Sequence, residues 1–132
     1  MNGKNLILIV DDEPDMCWAF EWIFHGMGFH TVSAQNGRDA VRLMEQIPFR
    51  IAFVDVRLPD ADGVDLAKEL QRLQPDLPIV LVSGYFYEDD WEFQQRMRET
   101  SVRGFIGKPF LLDEVRQAAL YLQGDLPSSE SA

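Results

Sequence analysis

Only one cysteine stands in these 132 residues, and basic side chains are outnumbered by acidic ones. With Cys17 alone, no internal disulfide and no multi-cysteine metal site can form, so a reducing compartment, by default the cytoplasm, is expected. No apolar run approaches the roughly 18 residues of a membrane-spanning helix, and Met1 to Asn5 is too polar for a signal peptide. A soluble, non-exported protein without membrane contact is therefore expected. Lys plus Arg number 12 against 22 Asp plus Glu, a net charge of -10 that opposes direct binding to nucleic acid or anionic lipid. No basic output domain is expected within the chain, and neither internal repeats nor low-complexity stretches occur. What is present is an ordinary globular composition, 46% hydrophobic and 26% charged, at a length that suits one domain.

Short β-rich runs alternate with longer amphipathic segments, which points to βα units around a parallel sheet. Leu6 to Val10, Ile51 to Val54 and Ile79 to Val82 are continuous apolar runs, as central parallel strands covered on both faces require. His30 to Ala34 and Arg103 to Gly107 are more mixed and belong near the edges. Helices are predicted over Pro14 to Met27, Arg38 to Gln46, Gly63 to Leu73, Glu88 to Thr100 and Leu111 to Leu122. Pro14 suits a first helical turn, Asn36-Gly37 makes a turn, and Pro75 and Pro78 bracket a helix-to-strand loop. Residues 1–123 form the expected domain, and 124–132 read as a polar tail or the start of a linker.

In an open parallel α/β sheet, chemistry collects outside the carboxyl ends of the strands. The first strand ends in Asp11-Asp12, the third in Asp55, the fourth in Ser83 and the fifth in Lys108-Pro109. Three carboxylates held together repel one another unless a cation binds them. Oxygen-only ligands favour Mg²⁺, with Mn²⁺ as an alternative occupant, and no His or Cys is at hand for zinc. Two carboxylates can hold a metal while the third attacks phosphorus, since a carboxylate is a competent nucleophile. Asp55, flanked by the others at the end of a central strand, is the natural nucleophile. Lys108 can neutralise charge on the transferring group, and Ser83 can donate to a phosphoryl oxygen.

The segments LILIVDDEPD, VDVRLPDADG, IVLVSGY and GFIGKPF, in this order, resemble the signature segments of response-regulator receiver domains, over about Lys4 to Gln123. The resemblance implies a flavodoxin-like (βα)5 doubly wound fold with strand order 2-1-3-4-5, the order under which a receiver is commonly cited. It implies that Asp55 is phosphorylated and that Asp11, Asp12 and the backbone carbonyl of Arg57 join it at the metal. Ser83 corresponds to the switch hydroxyl, Phe105 to the switch aromatic and Lys108 to the conserved-type lysine, with a Lys108-Pro109 bond often cis in relatives. The implied function is a phosphoacceptor of a bacterial two-component system or phosphorelay. The implied partners are a sensor histidine kinase or histidine phosphotransfer protein and a downstream effector or output domain. A homodimer through the face of the fourth helix, fifth strand and fifth helix is also implied. Such a domain is no enzyme beyond catalysing its own phosphorylation and dephosphorylation. Activation would draw Ser83 inward and let Phe105 turn into the vacated space, a shift between two existing populations.

Some residues depart from the pattern. Ser83 and Lys108 lie 25 positions apart, a few more than in most relatives, and the surplus falls in the aromatic and acidic segment Tyr85 to Trp91. Phe105 lacks the hydroxyl of the more frequent tyrosine. Arg57 and Tyr85 border the implied path of hydrolytic water, so their bulk is expected to slow autodephosphorylation. Plainer readings stand beside these. Asp11-Asp12 could cap the helix at Pro14, Asp55 could cap a turn, and Lys108 could be a solvated lysine. Asp60-Ala61-Asp62-Gly63 reads as a turn into the third helix rather than a calcium loop. Cys17 reads as a small buried hydrophobe, and His25 and His30 have no assigned role. Trp18, Phe20, Trp22, Ile23 and Phe24 make the first helix apolar nearly all round, which leaves open whether its outer side meets a partner or its own neighbours. Against a phosphatase with an aspartyl nucleophile, Arg57 stands where a second acid/base aspartate is wanted. Against a pseudo-receiver, a protein-binding module without phosphorylation, all five site residues are present.

Overall fold

The three central strands of this fold are only five residues long, and ahead of their carboxyl ends their side chains are apolar on both faces, as coverage by helices on both sides requires. The computed structural model describes residues 5–84, 90–100, 102–107 and 115–119. In chain order the elements are β1 (Leu6–Val10), α1 (Pro14–His25), β2 (His30–Ala34), α2 (Gly37–Met44), β3 (Ile51–Asp55), α3 (Gly63–Leu73), β4 (Ile79–Ser83), α4 (Trp91–Arg98) and β5 (Gly104–Gly107). Residues 115–119 are helical as well. The strands form one parallel sheet in the order β2-β1-β3-β4-β5. This is the flavodoxin-like order, with the mixed strands β2 and β5 at the edges.

Strand alternation divides the core into two layers. Ile7, Ile9, Ile51, Phe53, Val80 and Val82 face α1 and the helical stretch 115–119. Leu8, Val10, Ala52, Val54, Ile79 and Leu81 face α2, α3 and α4. On the α1 side Phe53 packs at 5.4 Å from Phe20 and 5.2 Å from Phe24, both tilted, so three aromatic rings anchor that helix. Phe20, Ile23 and Phe24 are the core face of α1, whereas Trp18 and Trp22 are 65% and 57% exposed. Their outer side is therefore uncovered among the described residues.

Several boundaries differ from the sequence expectations for local reasons. α1 stops at His25 rather than Met27, because the chain turns through Gly28 at φ 86, a left-handed backbone that favours glycine. Asn36 is not half of a free turn. It is the N-cap of α2, accepting the amide of Asp39 over 2.8 Å, and Gly37 is the first helical residue. α2 also ends at Met44 rather than Gln46. α4 begins at Trp91 rather than Glu88, because Asp90 takes the capping position and accepts the amide of Phe93 over 2.9 Å. It ends at Arg98 instead of Thr100. The segment 85–89, Lys108-Pro109 and the tail 124–132 lie outside the described residues.

Candidate functional site

Register brings the acidic residues together. β1 and β3 are parallel with Val10 opposite Val54, so the next residue of each strand, Asp11 and Asp55, emerges at the same sheet edge. Adjacent strands stand about 5 Å apart. Asp11, Asp12 and Asp55 each present a carboxylate oxygen within 4.8 Å of the others. Asp11 and Asp55 are buried, at 1% and 8% exposure, and Asp12 is exposed. A partly buried trio of carboxylates this close is electrostatically costly by itself. Its oxygen-only donor set, open to solvent through Asp12, fits a hard divalent cation that retains water ligands.

Backbone amides orient the two buried carboxylates. The Glu13 amide donates to Asp11 Oδ1 over 2.9 Å, and the Arg57 amide donates to Asp55 Oδ1 over 3.2 Å. The helix-cap reading of Asp11-Asp12 is not met. Glu13 is the N-cap of α1, with no side-chain cap hydrogen bond, and Pro14 follows it. Ser83, 1% exposed, ends β4 one residue beyond the Val82 that pairs with Asp55. It therefore stands at the same carboxyl end of the sheet. Phe105, on β5, is 39% exposed and meets Phe93 of α4 edge-on, with ring centroids 5.9 Å apart. Of the five residues expected to converge, three carboxylates and Ser83 share this end, and Lys108 lies outside the described residues.

The loop after Asp55 is fastened on three sides. The Gly63 amide donates to the Val56 carbonyl over 2.7 Å, and a Cβ at Gly63 would overlap the Asp55 carbonyl oxygen. Glycine is needed there for close approach. Asp60 reaches across to α2, accepting the amides of Gly37 over 2.7 Å and Arg38 over 3.1 Å. The Gly37 hydrogen bond outweighs the opposing effect of burial and, with that of Arg38, holds the Asp60 carboxyl below its usual range. Asp62 caps α3 through the amides of Val64 and Asp65. It also takes both arms of the Arg96 guanidinium, at 3.1 and 2.7 Å. Burial pushes Asp62 upward, yet Arg96 and the two amides prevail and hold it below the ordinary carboxylate value. Sequence reasoning read this stretch only as a turn. Its Asp-rich composition ahead of a helix was the available signal, but the distant partners were not legible.

Cys17 is buried, and its thiol donates to the Asp11 carbonyl over 3.4 Å. Burial pushes the thiol above its usual value against a Ser33 hydrogen bond, with Asp11 and Asp12 reinforcing the rise, so it remains an inert core group. A groove of about 650 Å³ opens between α2 and α3, lined by Arg38, Arg42, Asp60, Asp65, Leu66 and Glu69 among others. It does not include the acidic trio. Among the described residues no helix is long and apolar enough to cross a membrane.

Comparison with known proteins agrees with this arrangement. The family model described as "Response regulator receiver domain" matches residues 7–120. The chain is 33% identical over 126 residues to the regulatory protein AtoC of Escherichia coli, covering 93% of this chain and 27% of that protein. It thus spans about a quarter of the length of that relative. Sporulation initiation phosphotransferase F of Bacillus subtilis is 26% identical over 118 residues, covering 89% of this chain and 91% of that one. The crystal structure of the receiver domain of NtrX from Brucella abortus superimposes with a TM-score of 0.79 at 28% identity, covering 91% of this chain and 99% of that one. From sheet order, acidic edge and these relatives together, the chain belongs to the response regulator receiver domain family, a module of phosphorylation-based two-component signalling.

Proposed function

We propose that Asp55 is the phosphoacceptor of this receiver domain and that Asp11, Asp12, Asp55 and the Arg57 carbonyl hold Mg²⁺ beside it. The observation that carries this reading is the approach of three carboxylate oxygens to within 4.8 Å at the carboxyl end of the sheet. Mg²⁺ at this site would neutralise charge on the transferring phosphoryl group. An Asp55 oxygen attacks phosphorus while the bond from phosphorus to the donor's leaving atom breaks, and the leaving group departs with that electron pair and takes up a proton. The Arg57 amide keeps the attacking carboxylate oriented. Ser83 donates to a phosphoryl oxygen, and Lys108 supplies the positive charge.

The donor is a sensor histidine kinase or a histidine phosphotransfer protein, for which the exposed Trp18 and Trp22 of α1 offer a surface. The product is an aspartyl phosphate that shifts Ser83 and Phe105 and alters the face of α4, β5 and the last helix, where an effector, an output domain or a second copy docks. The domain's catalysis is confined to its own phosphorylation and dephosphorylation, in the cytoplasm. Residues 1–123 form this unit and 124–132 a polar tail or linker, a division that the family match over residues 7–120 supports.

Intact mass after incubation with Mg²⁺ and acetyl phosphate tests the proposal. One phosphoryl group should appear on the parent, none on Asp55→Asn, and none once the metal is chelated. Equal labelling of Asp55→Asn would overturn it, and failure of the parent to bind either Mg²⁺ or beryllofluoride would favour a pseudo-receiver.

A further inference from the structure

α4 is lightly anchored. Among its residues only Phe93 is buried, Met97 packs half-buried against the core, and ion pairs add to these: Arg96 to Asp62 and Asp65, and Glu99, just past its end, to Lys68 at 3.4 Å. An element with one buried and one half-buried apolar side chain, otherwise held by partly exposed ion pairs, sits toward the low-stability end of a fold, where conformational equilibria are easily biased. Asp62 is also tied to the candidate phosphoacceptor. Gly63 next to it is seated directly on the backbone of Asp55 and Val56. Three residues before Arg96 on α4, Phe93 touches Phe105, which is partly exposed to solvent. A continuous chain of contacts therefore runs from Asp55 through Gly63, Asp62 and Arg96 to α4, Phe93 and Phe105.

We propose that the Asp62–Arg96 fork is a latch on the switch: it holds α4 in the arrangement in which Phe105 is partly exposed and so opposes the activated population. This deepens the phosphoacceptor reading and rests on it. A two-armed guanidinium–carboxylate pair has a defined geometry that a displaced α4 cannot keep. Its loss therefore weakens one state and leaves the other unaffected, which is what a population shift requires. Arg96 is here a positioning residue, acting on Asp55 only through the loop.

Two substitutions remove the fork by different means. Arg96→Gln leaves the α3 cap intact, and Asp62→Asn keeps a capping oxygen while losing the charge. Beryllofluoride with Mg²⁺, titrated calorimetrically into parent and variants, reads the balance, and the Phe105 ring shifts in NMR spectra report its orientation. Partly exposed ion pairs are modest, so each variant should bind about three- to tenfold more tightly than the parent, and the double variant no more tightly than either single one. The Phe105 signals of the free variants should move toward their beryllofluoride-bound positions. Arg96→Lys keeps the charge without the fork and should fall between. If the parent binds and all variants match it, the latch is wrong while the phosphoacceptor reading stands. If the parent does not bind, both fall.

Discussion

The amide of Gly63 donates to the carbonyl of Val56 over 2.7 Å, and a Cβ at Gly63 would lie 2.7 Å from the Cα of that residue. The obstruction is backbone on β3's own continuation, so it cannot swing aside as a flexible side chain could. Gly63→Ala should therefore cost about 1–3 kcal/mol in unfolding free energy, the usual penalty for overpacking. Denaturant unfolding with an unchanged slope and a lower midpoint is the expected result. A midpoint equal to that of the parent would mean that α3 can lift off Val56 without loss.

Repulsion among Asp11, Asp12 and Asp55 sets a second expectation. Removing the exposed charge with Asp12→Asn should raise the melting temperature in the absence of divalent metal, because like charges are relieved. The same variant should lose most of the further rise that Mg²⁺ gives the parent, since only the native state binds the ion. Thermal melts with and without Mg²⁺ check both halves. An equal Mg²⁺ response in parent and variant would place the ion elsewhere.

Asp60 satisfies two amides at the start of α2, at 2.7 and 3.1 Å. Asp60→Ala leaves Asn36 as the remaining cap, and the expected loss is that of a helix cap at an exposed position, about 0.5–1 kcal/mol. The midpoint of chemical unfolding measures it. Phosphorylation by acetyl phosphate should change little, because Asp60 faces α2 and not the acidic trio. A large loss of phosphorylation with unchanged stability would contradict that separation.

The carboxyl of Asp62 titrates below its ordinary value of 3.8 in the folded protein. A depressed folded value means that the stabilisation is complete above 3.8 and disappears as pH falls through the lowered value. The difference in unfolding free energy between the parent and Asp62→Asn should therefore stay constant from neutral pH to about pH 5 and shrink only in more acid solution. A difference that already fades between pH 7 and pH 5 would mean that the fork is not the source.

Much of the architecture was readable from β1, β3 and β4, because strands buried on both faces write uninterrupted apolar runs such as LILIV and IAFV. The acidic edge was readable for the same reason: parallel strands put Asp11 and Asp55 at one end whatever their separation in sequence. Cross-links between elements left no local trace. Asp60 meets Gly37 across 23 positions and Asp62 meets Arg96 across 34, and no periodicity marks such pairs. Trp18 and Trp22 illustrate another limit. An α1 that is apolar nearly all round does not say which side is core, and here the aromatic stack of Phe20, Phe24 and Phe53 decides it. The beginnings of α2 and α4 were misjudged because Asn36 and Asp90 act as caps, a role set by the one amide each captures.

The most direct measurement is chemical mapping of the phosphorylated residue. After incubation with Mg²⁺ and acetyl phosphate, borohydride reduces an aspartyl phosphate to homoserine, which peptide mass spectrometry locates. The expected outcome is homoserine at position 55 alone, absent when the metal is chelated. Homoserine at Asp11 or Asp12, or none anywhere in protein shown by intact mass to carry a phosphoryl group, would contradict the assignment of Asp55 as the phosphoacceptor.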